Sequence, residues 1–325
     1  MSQSSSEGDD PVVECALRDR TLHKTLIDRA DKGVCIVDRD FRILYWNAAA
    51  ERMSGYLAQE VAGQANHGDL LMHCPDYDAL LGGQGCELTE LVLAGNAEDS
   101  IVLLLNREGY RILVYVQSRA IHDSSGATIG AVQVFEEVMA SPHRGIREFE
   151  AFGCSDSFLR AAHRKYGEMR ARHALEALNM FEIPFGWLRV GLDGAEDLDH
   201  NFGHGMVDAA VKMVAAALDR NLGALGVLTR WEGDGFRVQI NRCTHSEVVA
   251  AAERLCLLVR VSSVDWWGDR RRVTVSVGGA TAERGDTLES LDARVSEVFD
   301  GCRTGGGDRA AVAHISKSGA VRCLP

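Results

Sequence analysis

The chain has 325 residues, 46% of them apolar and 25% charged, and a net charge of −12. That length exceeds one ordinary core and fits two domains of normal size, and the composition is that of a globular rather than a disordered protein. The acidic balance argues against a nucleic-acid partner, because phosphate binding rests on clustered Lys and Arg, and the one short basic run, Arg270-Arg271-Arg272, reads as the solvated start of a strand.

Residues 1–21 are expected to form a flexible tail and a helix. Met1 to Asp10 is Ser- and acid-rich without an apolar segment, unlike a signal peptide. Apolar Val13, Leu17, Leu22, Leu26 and Ile27 then share one helical face. A hairpin of two short strands follows, Gly33–Asp38 and Arg42–Trp46, turning at Arg39-Asp40. Asn47 is a good N-cap for a helix through Ala48–Met53, since its side chain can accept an orphan backbone N–H. After an irregular stretch from Gly63 to Gly85 come strands at Ser100–Leu105, Tyr110–Ser118 and Thr128–Phe135, separated by Gly-containing turns. Two strands, helices and a three-strand meander make a small α+β domain over 22–137.

Residues 138–155, with Pro142, Gly145 and Gly153, read as a linker to a second domain over 156–325. Its pattern is a helix (Phe158–Leu178), a buried strand (Phe185–Leu192), an amphipathic helix (Gly205–Leu222) and a hairpin (Val227–Trp231, Phe236–Ile240) turning at Glu232-Gly233-Asp234-Gly235. A helix (Ser246–Leu258), a strand (Val273–Val277) and a helix (Leu288–Cys302) complete it. Strands alternating with helices imply a central sheet covered by helices, so the fold class is α+β. Trp266-Trp267 is expected to close an element against this core. Nine scattered cysteines, an odd number with several in apolar runs, point to a reducing compartment. With no run of roughly 18 apolar residues to span a membrane, the chain is expected to be soluble and cytoplasmic.

The first domain resembles PAS sensors. The resemblance rests on the opening hairpin with Asp38, the run Tyr45-Trp46-Asn47-Ala48-Ala49-Ala50-Glu51 and the closing strand Gly126-Ala127-Thr128-Ile129-Gly130-Ala131-Val132. The second is similar to GGDEF domains, which join two GTP into cyclic di-GMP. Here the carriers are Asn201-Phe202-Gly203-His204 with Asp208, then Arg230-Trp231-Glu232-Gly233-Asp234-Gly235-Phe236, then Val273 to Ala280. The resemblance implies a GGDEF-type antiparallel or mixed sheet after a PAS fold, a homodimer, and signalling through a protein partner.

Phosphoryl transfer from GTP needs metal ions, Mg²⁺ in this family, held by converging carboxylates beside a phosphate-binding backbone. The resemblance puts one carboxylate at the first Asp of an Asp-x-Asp, which here reads Gly191-Leu192-Asp193. Two more belong to the third and fourth places of the turn, which here are Asp234 and Gly235. Asp193 and Asp234 are then a weak metal pair, since a hard divalent ion prefers several oxygen ligands. Glu232 stands where the family has a glycine, adding bulk and negative charge near the phosphates. The nucleotide-binding positions that the resemblance assigns are Asp199 (an Asn in the family), Asp208, Gly233 and Arg303, with Gly305-Gly306-Gly307 where a second basic residue is expected. The inhibitory Arg-x-x-Asp site reads Gly223-Ala224-Leu225-Gly226, and the entrance motif keeps only Asp156 and Arg164. The catalytic motif Glu232-Gly233-Asp234-Gly235-Phe236 is therefore expected to be degenerate. The leading expectation is a cyclic di-GMP-type signalling protein without cyclase activity, acting through partner or GTP binding. The alternative is an active cyclase with rearranged ligands, Asp193, Asp234 and Glu232.

In the sensor, His67, His73, Cys74 and Cys86 look like a PAS subgroup whose Cys and His side chains suit a transition metal or iron–sulfur group. Two readings stand: a metal site, or the leftover of a lost one with Cys86 packed as a small hydrophobe. The second is favoured, because neighbours such as His73 and Cys74 seldom both face one ion.

Overall fold

The computed structural model describes residues 20–64, 70–72, 98–138, 159, 161–223, 226–315 and 321–322. The first half contains α1 (Arg20–Arg29), β1 (Gly33–Asp38), β2 (Ile43–Trp46), α2 (Ala48–Ser54), α3 (Ala58–Val61), β3 (Leu71–Met72), β4 (Glu98–Leu105), β5 (Arg111–His122) and β6 (Thr128–Glu137). Its strands make one six-stranded sheet in the order β2-β1-β6-β5-β4-β3. The first strand is thus central, between its hairpin partner and the last strand of the meander, with Cys35 opposite both Trp46 and Gln133.

Asn47 caps α2 as its position suggests, and does more. Its Oδ1 accepts from Ala50 N and Val34 N at 2.9 Å each, while Nδ2 donates to Ile27 O and Lys32 O. One buried amide therefore ties α1, β1 and α2 together with every hydrogen-bonding group used. Asp38 Oδ1 accepts from the backbone N–H of Asp40 and Arg42, which fixes the hairpin turn through its side chain.

The second half contains α4 (Arg164–Phe181), β7 (Phe185–Leu192), α5 (Ala195–Phe202), α6 (His204–Leu222), β8 (Gly226–Arg230), β9 (Gly235–Asn241), α7 (His245–Arg260), β10 (Val264–Trp266), β11 (Asp269–Arg271), β12 (Val275–Thr281), α8 (Leu288–Thr304), β13 (Ala310–Ile315) and β14 (Val321–Arg322). Six strands form a mixed sheet in the order β14-β13-β12-β7-β9-β8, with only β12 and β13 parallel among the paired strands described. Strand alternation divides β7 between two faces. Phe185 and Trp187 join Ala171, Leu175 and Leu178 of α4 and Leu291, Val295 and Val298 of α8 in one buried cluster. The other face of the sheet packs on α6 and α7.

Several elements differ from their sequence reading. The expected strand at Val273 begins two residues later, because β10 and β11 form a separate hairpin that takes up Arg270 and Arg271. Trp267 does not close the core: it is 92% exposed at that hairpin's turn, in a left-handed conformation (φ 55°). The short helix α5 lies between the expected strand Phe185–Leu192 and the expected helix Gly205–Leu222, where the sequence reading placed no element. Among the described residues no helix is long and apolar enough to cross a membrane, and the four cysteines described (35, 243, 256 and 302) are free and buried.

Candidate functional site

The candidate site lies where β7 ends beside the β8–β9 turn. The ladder between β7 and β9 pairs Gly191 with Gly235, Arg189 with Arg237, Trp187 with Gln239 and Phe185 with Asn241, all on the face covered by α4 and α8. Two of the three carboxylate positions implied by the family resemblance, 191 and 235, are therefore cross-strand neighbours, close enough for side chains there to share one ion. Both are glycine.

The space beside Gly191 is filled. A Cβ added there would lie 2.7 Å from Cζ of Phe299, on α8. The ring is buried and flanked by the Arg189 guanidinium, 4.3 Å from its centroid, with Arg303 on the ring at 5.9 Å. A Cβ on Gly278 would strike the backbone N and Cα of Phe299 at 2.4 and 2.5 Å. The helix is thus seated directly on β12, and its aromatic ring reaches the end of β7.

Asp193 is committed elsewhere. Its Oδ2 accepts from Thr274 Oγ1 (2.9 Å) and the backbone N–H of Asp308 (2.8 Å), and its Oδ1 accepts from Ser276 Oγ (2.7 Å). The turn Gly305-Gly306-Gly307 makes this possible: a Cβ on Gly307 would stand 2.9 Å from the Asp193 carboxyl carbon. The glycines that replace an expected basic residue are what fold this turn onto the carboxylate.

The turn itself is closed by Gly235 N–H to Glu232 O at 2.8 Å and Trp231 N–H to Gly235 O at 3.0 Å. Gly233 takes φ 54° there, and a Cβ would meet nothing within 4 Å, so backbone conformation rather than crowding calls for glycine. Glu232 is three-quarters exposed and forms an ion pair with Arg164 at the start of α4, so its charge does not stand alone. Arg164 also bonds Glu168 at 2.8 Å and lies 4.8 Å over the Trp231 ring.

Behind the turn is a network that the sequence reading missed. Arg237, 4% exposed, makes a two-pronged pair with Asp292 (2.7 and 3.1 Å), which also accepts from Trp187 Nε1 at 3.1 Å. Burial works to raise the Asp292 carboxyl, but Arg237 and Trp187 outweigh it and hold it below the usual carboxylate range. Trp231 packs edge-on against Trp187 at 5.8 Å, with Arg237 5.1 Å from its ring. Burial, then the neighbouring Arg237, lowers the Arg189 guanidinium below its ordinary value. The available signal was Arg237 itself, a charge inside the buried strand Phe236-Arg237-Val238-Gln239-Ile240 that requires a partner.

The nucleotide positions sit on separate elements. Asp199 is on α5, Asp208 on α6, and Gly203 breaks the two helices. His204 Nδ1 approaches Asp199 at 3.4 Å, with both side chains exposed. Arg303 is on the last turn of α8. Among the described residues no three Asp, Glu, His or Cys side chains converge as a metal site, so Asp193, Asp234 and Glu232 do not form one together. A divalent cation does not fit the side chains present at this strand end. His67, His73, Cys74 and Cys86 lie outside the described residues, as do Ala224, Leu225 and Asp156. Within the described part of the first domain, Trp46 Nε1 and Ser118 Oγ are buried without a hydrogen-bond partner.

Comparison with known proteins accords with this layout. Residues 22–138 match the family model described as PAS fold, and residues 159–300 match that of the diguanylate cyclase GGDEF domain. Probable diguanylate cyclase DgcE of Escherichia coli (strain K12) is 25% identical over 260 residues, covering 79% of this chain and 23% of that protein. The oxygen sensor protein DosP of the same organism is 24% identical over 201 residues, covering 59% of this chain and 24% of its own length. The chain thus spans about a quarter of the length of these curated relatives. The solved coiled coil and GGDEF domain of DgcB from Caulobacter crescentus, in complex with c-di-GMP, aligns with a TM-score of 0.48 at 19% identity, over 50% of this chain and 87% of that one.

Proposed function

We propose that this chain, a PAS-fold domain joined to a GGDEF domain of the cyclic di-GMP signalling type, couples its sensor to a GGDEF domain that does not cyclise GTP. The domain acts instead by binding a protein partner or a nucleotide, and works as a homodimer in the cytoplasm. One observation carries this reading: at the rung where two metal-binding carboxylates would face each other stand Gly191 and Gly235, with the Phe299 ring in the space beside the first. Transfer of a phosphoryl group is almost wholly positioning and charge neutralisation, so a site that cannot hold its cations cannot perform the step. Gly233, Asp208 and Arg303 remain for a nucleotide bound without turnover, and the strand-end backbone is available to its phosphates.

The test is incubation of the purified chain with GTP and Mg²⁺ or Mn²⁺, with cyclic di-GMP measured by chromatography. No product above the protein-free background is expected. Accumulating cyclic di-GMP would overturn the reading in favour of a cyclase with rearranged ligands.

A further inference from the structure

At the far end of β9 from the turn lies a cavity of about 330 Å³ between α4 and the sheet. Arg170 and His173 of α4 line it, together with Gln239 and Asn241 of β9 and the following Arg242. Ala174, Ala177, Ile183 and Phe185 form its apolar wall. None of the lining residues is acidic, in a chain whose net charge is −12. Such segregation of positive charge in a concave site favours an anion.

The floor adds a second demand. Gln239 is 2% exposed; its Nε2 donates to Asn241 Oδ1 at 2.7 Å, and its Oε1 is buried without a hydrogen-bond partner. A buried carbonyl oxygen left unpaired is costly, so a group that reaches it with a donor is favoured by roughly a factor of ten or more. Arg242 adopts φ 52°, a left-handed conformation uncommon for a residue with a side chain, and such outliers gather at binding sites.

We propose that this cavity is a second ligand site in the GGDEF domain, for an oxyanion that carries its own hydroxyl donor: hydrogen phosphate, or the phosphate of a small hydroxylated molecule. The guanidinium groups of Arg170 and Arg242 take the charged oxygens, Gln239 Oε1 accepts the O–H, and the apolar wall accommodates a short carbon skeleton. The volume is at the small end for ligand pockets, which run from about 300 to 1,000 Å³, and suits nothing as large as a nucleotide.

Isothermal titration of the full chain with sodium phosphate, glycerol 3-phosphate and sodium sulfate at matched ionic strength tests this. Saturable binding of at least one phosphate is expected, and the tighter of the two identifies the source. Sulfate at neutral pH offers no O–H and should bind at least about tenfold more weakly. Arg242→Ala and Gln239→Leu should each weaken phosphate binding by about tenfold or more, whereas Arg172→Ala, on the same helix but outside the cavity, should not. Arg242 is exposed, so its variant reads the site even if Gln239→Leu fails to fold. No saturation by about 10 mM of either phosphate, sulfate binding as tightly as phosphate, or full affinity in Arg242→Ala would each overturn the proposal.

Discussion

Gly191→Ala adds a single carbon at the most telling position of the candidate site. That carbon would stand 2.7 Å from Phe299 Cζ and 3.2 Å from Cε2, where carbon atoms ordinarily rest at about 3.5–4.0 Å. The ring has little room to yield. Arg189 lies 4.3 Å over its centroid, and the helix that bears it is seated on Gly278, where the Phe299 backbone leaves no space even for a Cβ. Overpacking of this kind costs about 1–3 kcal/mol, and the blocked retreat places the cost in the upper half of that range. For a domain of this size the loss lowers the melting temperature by about 2–4 °C per kcal/mol. Urea unfolding followed by tryptophan fluorescence measures it, since Trp187 is buried in the core between α4, α8 and the sheet and Trp231 packs against that core. Phe299→Leu in the same background should recover part of the loss, giving a coupling of about 1 kcal/mol or more in a double-mutant cycle. If Gly191→Ala stays within about 0.5 kcal/mol of wild type, or the two single losses simply add, the ring does not seal this position. An aspartate at 191 carries the same Cβ, so cation binding cannot return there by that substitution alone.

Two further substitutions probe the charges around the site. Asp193→Ala deprives Thr274, Ser276 and the Asp308 N–H of their acceptor; it should cost about 2–4 kcal/mol in chemical denaturation, and a loss below about 1 kcal/mol would show that these bonds do not hold the glycine turn. Asp292→Asn leaves the buried Arg237 charge without its partner and should cost about 2–4 kcal/mol at neutral pH. Because the Asp292 carboxyl is held below its ordinary value, its contribution is fully present above the unfolded value near pH 4 and is lost as pH falls through the lower folded value. The stability gap between wild type and Asp292→Asn should therefore persist to about pH 4 and close only in stronger acid. A gap that closes between about pH 5 and 7 would contradict this assignment.

The elements that the sequence revealed are those with strong local signals. Asn47 is legible as a cap because its amide suits an orphan N–H, and the structure adds only its three other bonds. The hairpin turn at Glu232 to Gly235 and the helix α6 are likewise set by turn chemistry and periodicity. The hairpin β10–β11 escaped because its two three-residue strands lack a buried alternation: Arg270 and Arg271 are exposed, and Trp267 looks like core by composition while facing outward. At the site, the missing carboxylates were legible as letters, but what replaced them was not. Phe299 reads as one more apolar residue of an amphipathic helix, and only the seat of α8 on Gly278 brings its ring to the end of β7.

That seat changes the physical reason for proposing a silent domain. From the sequence, Glu232 reads as an uncompensated negative charge facing the phosphates, and Asp193 as one half of a weak metal pair with Asp234. In the folded chain Arg164 neutralises the first, and three hydrogen-bond donors engage the second. Repulsion is then a minor obstacle, since an exposed ion pair contributes at most about 1 kcal/mol. The greater obstacle is that the substitutions support one another. Gly191 admits the ring, the ring stacks with Arg189, Gly307 lets the turn reach Asp193, and Asp193 holds that turn. Reversing any one of these alone leaves a clash or an unpaired buried group, each costing a sizeable part of a domain's marginal stability. If the domain is silent as proposed, cyclic di-GMP formation from GTP should appear only when Gly191→Asp and Gly235→Glu are combined with a smaller residue at 299, and product from Gly191→Asp and Gly235→Glu without that third change would refute the coupling.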